Sequence, residues 1–379
     1  MSEKERTIMH IESIETFLDE GVAAVRIRTD DGLEGIGQTA PFFAENTVPV
    51  LHSMIAPHFL GKDPWDLEVL IATCLRKNYK FADSFIYRAL AGVDTAIWDI
   101  LGKAAGQPVY KLIGGAYRSS VPMYASSMSR SITPEDEGER LQRLAAEHGF
   151  RAAKIRLGSV MGNDVDAWPG RTEKLIPTVR QAMGDNFDIN ADANGGFSAA
   201  RAIKIGRLLE EDGYFHYEEP CPFGDLARTA EVSAALDIAV AGGEQDNSLA
   251  QFKKMIDEQV VDIVQPDIAY IGGISRARKV AMLAELAGIP CTPHCSNNSM
   301  LQVFTLHFAA AMPACSQYQE WGIEERGSSG NFVPEGVYEP MLRVVDGEVA
   351  VPTAPGWGIE LVPSFVTNAV RTVSDLRSL

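Results

Sequence analysis

The chain has 379 residues, of which 46% are hydrophobic and 22% are charged, so we expect a globular protein with one large domain and one smaller one. No stretch approaches the length of a membrane span and the first residues lack the apolar core of a signal peptide, which predicts a cytoplasmic protein. A net charge of −17 opposes binding to nucleic acid or to an anionic membrane, because both require clustered Lys and Arg.

The first hundred residues change from an alternating to a helical pattern. Polar and apolar residues alternate in Ile11–Phe17 and Val22–Thr29, and polar turns follow each run, so we predict an antiparallel meander. From Asn46 to about Ala105 the apolar spacing is helical, and Ile86–Gly102 is predicted to be a long buried helix closed by Gly102. Strands followed by helices indicate an α+β module.

After Tyr117 short apolar runs alternate with helical stretches. Eight runs are predicted to be strands: Val121–Ala125, Ala152–Arg156, Phe187–Asp192, Phe215–Glu219, Ile238–Glu244, Ile263–Asp267, Cys291–His294 and Tyr318–Trp321. Eight strand–helix units within about 200 residues favour a closed parallel barrel over an open sheet.

The last 50 residues return to turns and short alternating runs, such as Leu342–Val351. We expect them to rejoin the first module. The predicted domains are therefore an N-terminal α+β capping domain at 1–118, a (β/α) barrel catalytic domain at 119–327, and a C-terminal segment at 328–379 that returns to the capping domain.

Ionisable residues lie at or beside the carboxyl ends of the last seven predicted strands. They are Lys154, Asp192, Glu218, Glu244, Asp267, His294 and Glu320, spaced by 38, 26, 26, 23, 27 and 26 residues. All strands of such a barrel point the same way, so these side chains should converge on one mouth, where barrel active sites are found.

Each of these residues also has a plain structural interpretation. Asp192 could cap the helix that follows it, Glu218 and Glu219 could belong to an ordinary loop, and Glu244 could be a turn residue. Taken together, Asp192, Glu218 and Glu244 supply hard oxygen ligands on consecutive strands, the environment that Mg²⁺ prefers. We therefore predict a Mg²⁺ site and choose Glu218 over Glu219 as its ligand.

The remaining strand-end residues suggest acid–base chemistry. Asp267 could hold the His294 ring in one tautomer, so that His294 acts as a general base or acid. Lys154 and Arg156 share one face of a strand and could instead pair with the carboxylates. Glu320 could donate a hydrogen bond if protonated, and a plain salt bridge is the alternative.

These residues, together with Gly92–Asp99, Leu112–Gly115 and Pro355–Glu360, give the sequence its resemblance to the enolase superfamily, in particular to the mandelate racemase subgroup of racemases and acid sugar dehydratases. The resemblance covers nearly the whole chain. It implies a (β/α) barrel of the enolase type, with an α+β capping domain formed by the N-terminal region and the C-terminal segment. The residue roles that it implies are Mg²⁺ ligation by Asp192, Glu218 and Glu244, an Asp267–His294 dyad, an acid at Glu320 and substrate contact at Asn194.

Two departures from that subgroup affect the expected reaction. The usual second-strand motif is Lys-x-Lys, whose second lysine is one of two opposed bases, but here that position is Arg156. Arginine stays protonated and is a poor base, so the sequence favours dehydration of a hydroxy acid over racemisation. Epimerisation, with Lys154 as a base, is the alternative. The connection at Phe17–Gly21 is also short, so another segment such as Pro41–Asn46, or a neighbouring subunit, is expected to cover the substrate.

The expected partners are a small carboxylate substrate and further copies of this chain in a homo-oligomer, with no nucleic acid and no membrane. A catalytically silent, metal-binding homologue is a further alternative. The five cysteines (Cys74, Cys221, Cys291, Cys295 and Cys315) are odd in number and form no C-x-x-C pair, so we expect buried free thiols and neither disulfides nor a zinc site.

Overall fold

The computed structural model describes residues 9–81, 83–324 and 336–377. Its first part contains three strands and four helices, in the order β1 (Ile11–Asp19), β2 (Val22–Thr29), β3 (Glu34–Gln38), α1 (Ala44–Val50), α2 (Leu67–Lys77), α3 (Ser84–Ala105) and α4 (Val109–Ile113). Short 3-10 turns lie at Ala56–His58, Pro64–Asp66 and Tyr79–Phe81, and a π-helical turn lies at Leu51–Ile55. The predicted meander is confirmed, because β1 pairs antiparallel with β2, and β2 with β3.

Helix α3 packs against the meander and is buried along most of its length. Helix α3 comes unusually close to strand β3 at Gly37, where a Cβ atom would overlap the carbonyl oxygen of Gly92. The helix extends past Gly102 and ends at Gly106, which has the left-handed φ of 64° typical of a helix C-cap. Our prediction of Gly102 as the closing residue was wrong. Gly102 is instead a contact glycine, since a Cβ there would lie 2.7 Å from the Cα of Gly356.

The second part alternates strands and helices. Its elements are β4 (Ser120–Ser126), α5 (Pro134–His148), β5 (Ala152–Arg156), α6 (Arg171–Met183), β6 (Asp188–Asp192), α7 (Ala199–Glu211), β7 (His216–Glu218), α8 (Leu226–Ala235), β8 (Ala239–Gly242), α9 (Leu249–Asp257), β9 (Ile263–Val264), α10 (Ile268–Ile271), α11 (Ile274–Ala287), α12 (Met300–Ala311) and β10 (Gln319–Gly322). Strands β4 to β9 pair in parallel in sequence order, and β10 pairs in parallel with β4.

The seventh predicted strand is reduced to a single bridge in this curled sheet. Cys291 forms a parallel bridge with Val264, and the Thr292 amide donates to the Val264 carbonyl at 2.9 Å. On the other side, the Asn298 side chain donates to the Gly322 carbonyl at 2.9 Å and so connects this segment to β10. Seven of the eight predicted strands are present, and the Cys291 bridge marks the position of the seventh. The predicted (β/α) barrel with an α+β capping domain is confirmed.

The C-terminal region contains β11 (Tyr338–Glu339), β12 (Glu348–Ala350), β13 (Glu360–Leu361), α13 (Pro363–Asn368) and β14 (Val370–Asp375). Strand β14 pairs antiparallel with β1 and adds a fourth strand to the capping sheet. Strand β12, from the run that we expected to join the capping module, pairs instead with β4 of the barrel. The limits of the three domains remain predictions. None of the helices in the described parts of the chain is both long and apolar enough to span a membrane.

Trp357 connects the capping domain to the barrel. Its side chain is fully buried, its Nε1 donates to the Thr95 carbonyl of α3 at 2.9 Å, and its ring lies 4.5 Å from that of Phe304 on α12. We expect Trp357→Ala to lower the free energy of unfolding by about 3–5 kcal/mol, because it leaves a large cavity in the core. Denaturant titration measures this, and Trp65→Ala, at a side chain that is 44% exposed, should cost less than about 1 kcal/mol. Equal effects would contradict the role assigned to Trp357.

Candidate active site

Three carboxylates meet at the carboxyl ends of consecutive barrel strands. Asp192 and Glu218 end β6 and β7, and Glu244 follows β8 by two residues. One carboxylate oxygen from each lies within 4.8 Å of the others, and all three side chains are buried. This is the cluster that the strand spacing predicted. Ser198, and not Asp192, caps the following helix α7, since its side chain accepts from the Arg201 amide.

The donor set of this cluster fits a divalent cation. Buried carboxylates repel one another unless cations balance them. Glu244 Oε2 is buried and accepts no hydrogen bond within the described residues, although His294 Nε2 lies 3.4 Å away. A hard cation bound by oxygen ligands would satisfy this atom.

Glu218 and Glu219 face different surroundings, as expected for neighbours on a strand. Glu218 accepts from Gln265 Nε2 at 2.9 Å and pairs with Lys154 at 2.7 Å. Burial raises the pKa of Glu218, but the charges of Lys154 and His216 bring it well below its usual value. Glu219 lines the cavity above the cluster. Burial and the neighbouring Glu244 and Glu218 hold the pKa of Glu219 well above its usual value.

Two cations on β5 pair with these carboxylates. Lys154 is fully buried, and its Nζ lies 2.7 Å from Glu218, 2.8 Å from Glu320 and 3.6 Å from Asp192. Burial lowers the pKa of Lys154, but Glu218 and Glu320 outweigh it and raise the pKa above its usual value. Arg156 pairs with Asp192 and donates to Asn194 Oδ1 at 3.0 Å. The pairing that we kept as the alternative for both residues is present.

The Asp267–His294 pair has the geometry of a catalytic dyad. Asp267 Oδ2 lies 2.7 Å from His294 Nδ1, and its Oδ1 accepts from the Ala269 and Tyr270 amides at the start of α10. These bonds fix the carboxylate, so the ring presents Nε2 on its other side. Burial lowers the pKa of His294, but Glu244, Glu320 and Asp267 raise it to about 10.

Glu320 on β10 acts as an acceptor in this structure. It accepts from Ser126 Oγ at 2.6 Å and from the Cys295 amide at 3.1 Å, and Lys154 lies 2.8 Å away. Burial raises the pKa of Glu320, but Lys154 and His294 lower it to about 2. The salt bridge that was the alternative is present, and the catalytic role of Glu320 stays a prediction.

A cavity of about 520 Å³ opens above this cluster. The predicted site residues that line it are Arg156, Asn194, Glu244 and His294. Its other lining residues are Phe42, Met128, Arg130, Val160, Met161, Gly195, Glu219, Phe223, Gln245, Tyr270 and Ser296. Phe42 belongs to the segment Pro41–Asn46 that we expected to cover the substrate. The short connection is a two-residue turn, with φ of 44° at Glu20 and 81° at Gly21.

Sequence reasoning missed Arg130, although a signal for it was present. Arg130 follows β4, the first barrel strand, and the set of strand-end residues above began only with the second. Asn194, whose role rested on resemblance, lies between Arg130 and Arg156. Its side-chain oxygen accepts from both guanidinium groups, and its backbone amide donates to Asp192 Oδ1 at 2.7 Å.

The five cysteines are buried and free, as expected.

The barrel mouth thus brings together, among the described residues, the cluster of three carboxylates, the Asp267–His294 dyad and the cations Lys154 and Arg156. The cavity lies above them. This arrangement can hold a cation, bind an anionic group beside it and move a proton at His294 Nε2.

Comparison with known proteins gives matches over most of the chain. Residues 136–364 match the enolase C-terminal domain-like family, and residues 2–114 match the N-terminal domain of mandelate racemase and muconate lactonizing enzyme. Arabinonate dehydratase of Saccharolobus solfataricus is 30% identical over 350 residues, which cover 89% of this chain and 87% of that relative.

Two solved structures are also similar. A protein of Roseobacter denitrificans with a provisional racemase assignment is 44% identical, with a TM-score of 0.94 over 97% of this chain and 100% of that one. A mandelate racemase/muconate lactonizing protein of Paracoccus denitrificans, complexed with magnesium, is 30% identical, with a TM-score of 0.87 over 97% of this chain and 100% of that one.

Proposed function

The chain belongs to the mandelate racemase and muconate lactonizing enzyme family of the enolase superfamily, and we propose that it is a Mg²⁺-dependent acid sugar dehydratase. It removes the proton alpha to the substrate carboxylate and eliminates the beta hydroxyl as water. The relative that is an arabinonate dehydratase supports this reaction class. The substrate is a small carboxylate. The cytoplasmic location and the homo-oligomeric state remain predictions from the sequence.

Asp192, Glu218 and Glu244 would hold the cation, since they form the carboxylate cluster at the strand ends. When bound, Mg²⁺ supplies positive charge that stabilises negative charge developing on the substrate carboxylate, and it offsets the carboxylates that raise the pKa of His294. Lys154 keeps Glu218 and Glu320 in place from beneath.

His294 is the proposed base. Asp267 holds its Nδ1, so Nε2 accepts the alpha proton from one face of the substrate. The C–H electron pair then forms the new double bond, the bond to the beta hydroxyl breaks, and the proton on Nε2 passes to the leaving hydroxide to give water. Arg156 and Asn194 line the cavity beside the cluster and orient anionic and hydroxyl oxygens of the substrate.

The contacts of the Arg156 guanidinium favour dehydration over racemisation. Its guanidinium pairs with Asp192 and donates to the Ser127 carbonyl at 3.0 Å and to Asn194 at 3.0 Å. A racemase needs a base on each face of the alpha carbon, and a guanidinium held in this way does not supply the second. Lys154 is fully buried against two carboxylates and does not line the cavity, which further weakens a two-base reaction.

Solvent deuterium exchange tests the proposal directly. Wild-type protein with Mg²⁺ is incubated in D₂O with a panel of acid sugars, and NMR follows exchange at the alpha carbon together with loss of water. Elimination supports the dehydratase. Exchange with inversion supports the epimerase alternative, which the racemase assignment of the similar structure favours. No reaction with any acid favours a silent metal-binding homologue.

Arg156→Lys should partly restore the two-base arrangement of the subgroup. We expect elimination to fall, because the lysine loses the Arg156 Nη1 contacts to Asp192 and Asn194, while slow alpha-proton exchange appears on the epimeric substrate. The same NMR assay on both epimers measures this. Arg207→Lys, at a half-exposed arginine of α7, is the control. An Arg156→Lys protein that exchanges neither epimer, with its elimination rate unchanged, would contradict the role given to Arg156.

A further inference from the structure

Asp94 is a fully buried carboxylate on α3, the helix of the capping domain that contacts α10 and α11 of the barrel. Its Oδ1 accepts from the Ser275 backbone amide at 3.4 Å, and its Oδ2 has no hydrogen-bond partner among the described residues. Burial raises the pKa of Asp94 to about 7, and hydrogen bonds from Ser275 and Ile274 offset this only in part. Arg276, on the first turn of α11, donates instead to backbone carbonyls. Because burying a carboxylate costs stability unless a cation pairs with it, packing alone does not explain this residue.

Asp94 caps the N-terminus of a barrel helix. Helix α11 begins at Ile274, and the residue before it, Gly273, has no side chain that could accept from the first amides. The carboxylate of Asp94 takes that place, where negative charge is favourable, and a Cβ atom on Gly273 would overlap it. Trp98, one turn further along α3, donates its Nε1 to Ser275 Oγ at 3.0 Å. The capping domain therefore fixes the start of α11.

The segment that leads into α11 begins with the dyad. Asp267 is the N-cap of α10, where its Oδ1 accepts from two amides of that helix while its Oδ2 lies 2.7 Å from His294 Nδ1. Only Gly272 and Gly273 separate α10 from α11, and both have positive φ, of 98° and 103°. The Gly273 amide donates to the Ile268 carbonyl at 2.8 Å and closes this connection. A shift at the start of α11 therefore reaches Asp267 through one short turn.

A second contact joins α10 to the capping domain. The guanidinium carbon of Arg88 on α3 lies 3.7 Å from the centre of the Tyr270 ring. Tyr270 lines the cavity, and its ring centre is 6.1 Å from that of His294. Helix α3 thus contacts the dyad segment twice, at α10 through Arg88 and at the start of α11 through Asp94.

We propose that Asp94 is a positioning residue for the Asp267–His294 dyad, although it does not line the cavity. Its carboxylate holds the start of α11, which keeps α10 and the Asp267 carboxylate directed at His294 Nδ1. The inference rests on the proposed function only in taking His294 as the base. A catalytic group displaced by about 1 Å loses about 10²-fold in rate, so removal of this cap should slow the reaction. The competing interpretation is that Asp94 only stabilises the fold.

Asp99 is the matched control, because it is an equally buried carboxylate on the same helix. Its oxygens accept from the amides of Ile36 at 2.9 Å and Trp357 at 2.8 Å, and it pairs with Lys103 at 2.8 Å. These partners all lie outside the segment that connects the dyad to α11. We expect Asp94→Ala and Asp99→Ala both to lower Tm, whereas only Asp94→Ala disturbs the dyad.

The first measurement needs no turnover. Proton NMR of Mg²⁺-loaded protein detects the proton between His294 Nδ1 and Asp267, and its resonance is assigned by its loss in His294→Asn. We expect Asp94→Ala to shift and broaden this resonance and Asp99→Ala to leave it unchanged. Asp94→Asn should have a smaller effect, since its amide oxygen can still accept from Ser275 but carries no charge. An unchanged resonance in Asp94→Ala overturns the inference; if that variant does not fold, an unchanged resonance in Asp94→Asn does so.

The second measurement separates positioning from stability. Asp94→Ala should lower kcat for elimination by about 10- to 100-fold with KM changed only a few-fold, whereas Asp99→Ala should leave both within a few-fold of wild type. Added to Asp267→Asn, Asp94→Ala should cost less than about threefold more, because the contact that it maintains is already lost. Losses that multiply in the double variant would assign Asp94 to the fold alone and overturn the inference. If the resonance depends on Asp94 but wild-type protein eliminates water from no acid sugar, the inference stands and the dehydratase function fails.

Discussion

Asp192→Asn, Glu218→Gln and Glu244→Gln are each expected to abolish turnover and to weaken Mg²⁺ binding by more than about 100-fold. Loss of an outer partner of a metal ligand already costs about 10- to 100-fold, and these changes remove a charged ligand itself. Each substitution is nearly isosteric, so it removes charge from the site but little packing. Calorimetric titration with Mg²⁺ and the NMR elimination assay measure the two effects.

Glu219→Gln is the sharpest control for this prediction. Glu219 neighbours Glu218 in the chain, is buried and lines the cavity, but it lies outside the group of three whose oxygens approach within 4.8 Å. We expect Glu219→Gln to keep Mg²⁺ affinity within a few-fold of wild type. Thermal unfolding of all four variants shows whether the fold is intact. If the Glu218 and Glu219 variants exchange these behaviours, the ligand assignment at β7 is wrong.

Much of this site could be predicted because, in a parallel barrel, residues at the carboxyl ends of successive strands lie at the same end of the barrel. Strand ends that recur every 23 to 38 residues must meet at one mouth, and Asp192, Glu218 and Glu244 do so. The same argument could not show how the charges pair. Lys154 is fully buried and pairs with Glu218, Glu320 and Asp192, because its side chain points into the barrel and away from solvent.

The elements that were mispredicted depend on contacts between distant segments. Gly102 resembled a helix terminus, but it is needed where Gly356, over 250 residues later, approaches α3. The seventh strand keeps only the Cys291 bridge, since side chains such as Asn298 make its contact with β10. Arg130 follows the first barrel strand, which the sequence shows, but the carbonyls that hold its side chain belong to the loop after the next strand, and no local pattern reveals that contact. Local periodicity predicts elements, and such long-range contacts decide their ends.

His294→Asn is expected to lower both alpha-proton exchange and elimination by about 10²- to 10⁴-fold, the usual contribution of a positioned acid–base group. The cavity offers no replacement on that face. Glu244, 3.4 Å from Nε2, is assigned to the metal, and Glu320, 3.6 Å away, is held by Lys154, Ser126 and the Cys295 amide. Asn keeps polarity but cannot accept the proton, so substrate binding should persist while chemistry stops.

Asp267→Asn provides the graded comparison for that result. The ring of His294 remains, but the amide no longer fixes its tautomer through the 2.7 Å contact to Nδ1. We therefore expect a rate between those of wild type and His294→Asn, with substrate affinity little changed, measured by the same exchange and elimination assays with Mg²⁺ present. If His294→Asn exchanged the alpha proton at the wild-type rate, the base would lie elsewhere. Lys154 would then be the leading candidate, and a two-base epimerisation would regain its support, because the case for one-sided abstraction depends on His294 acting alone.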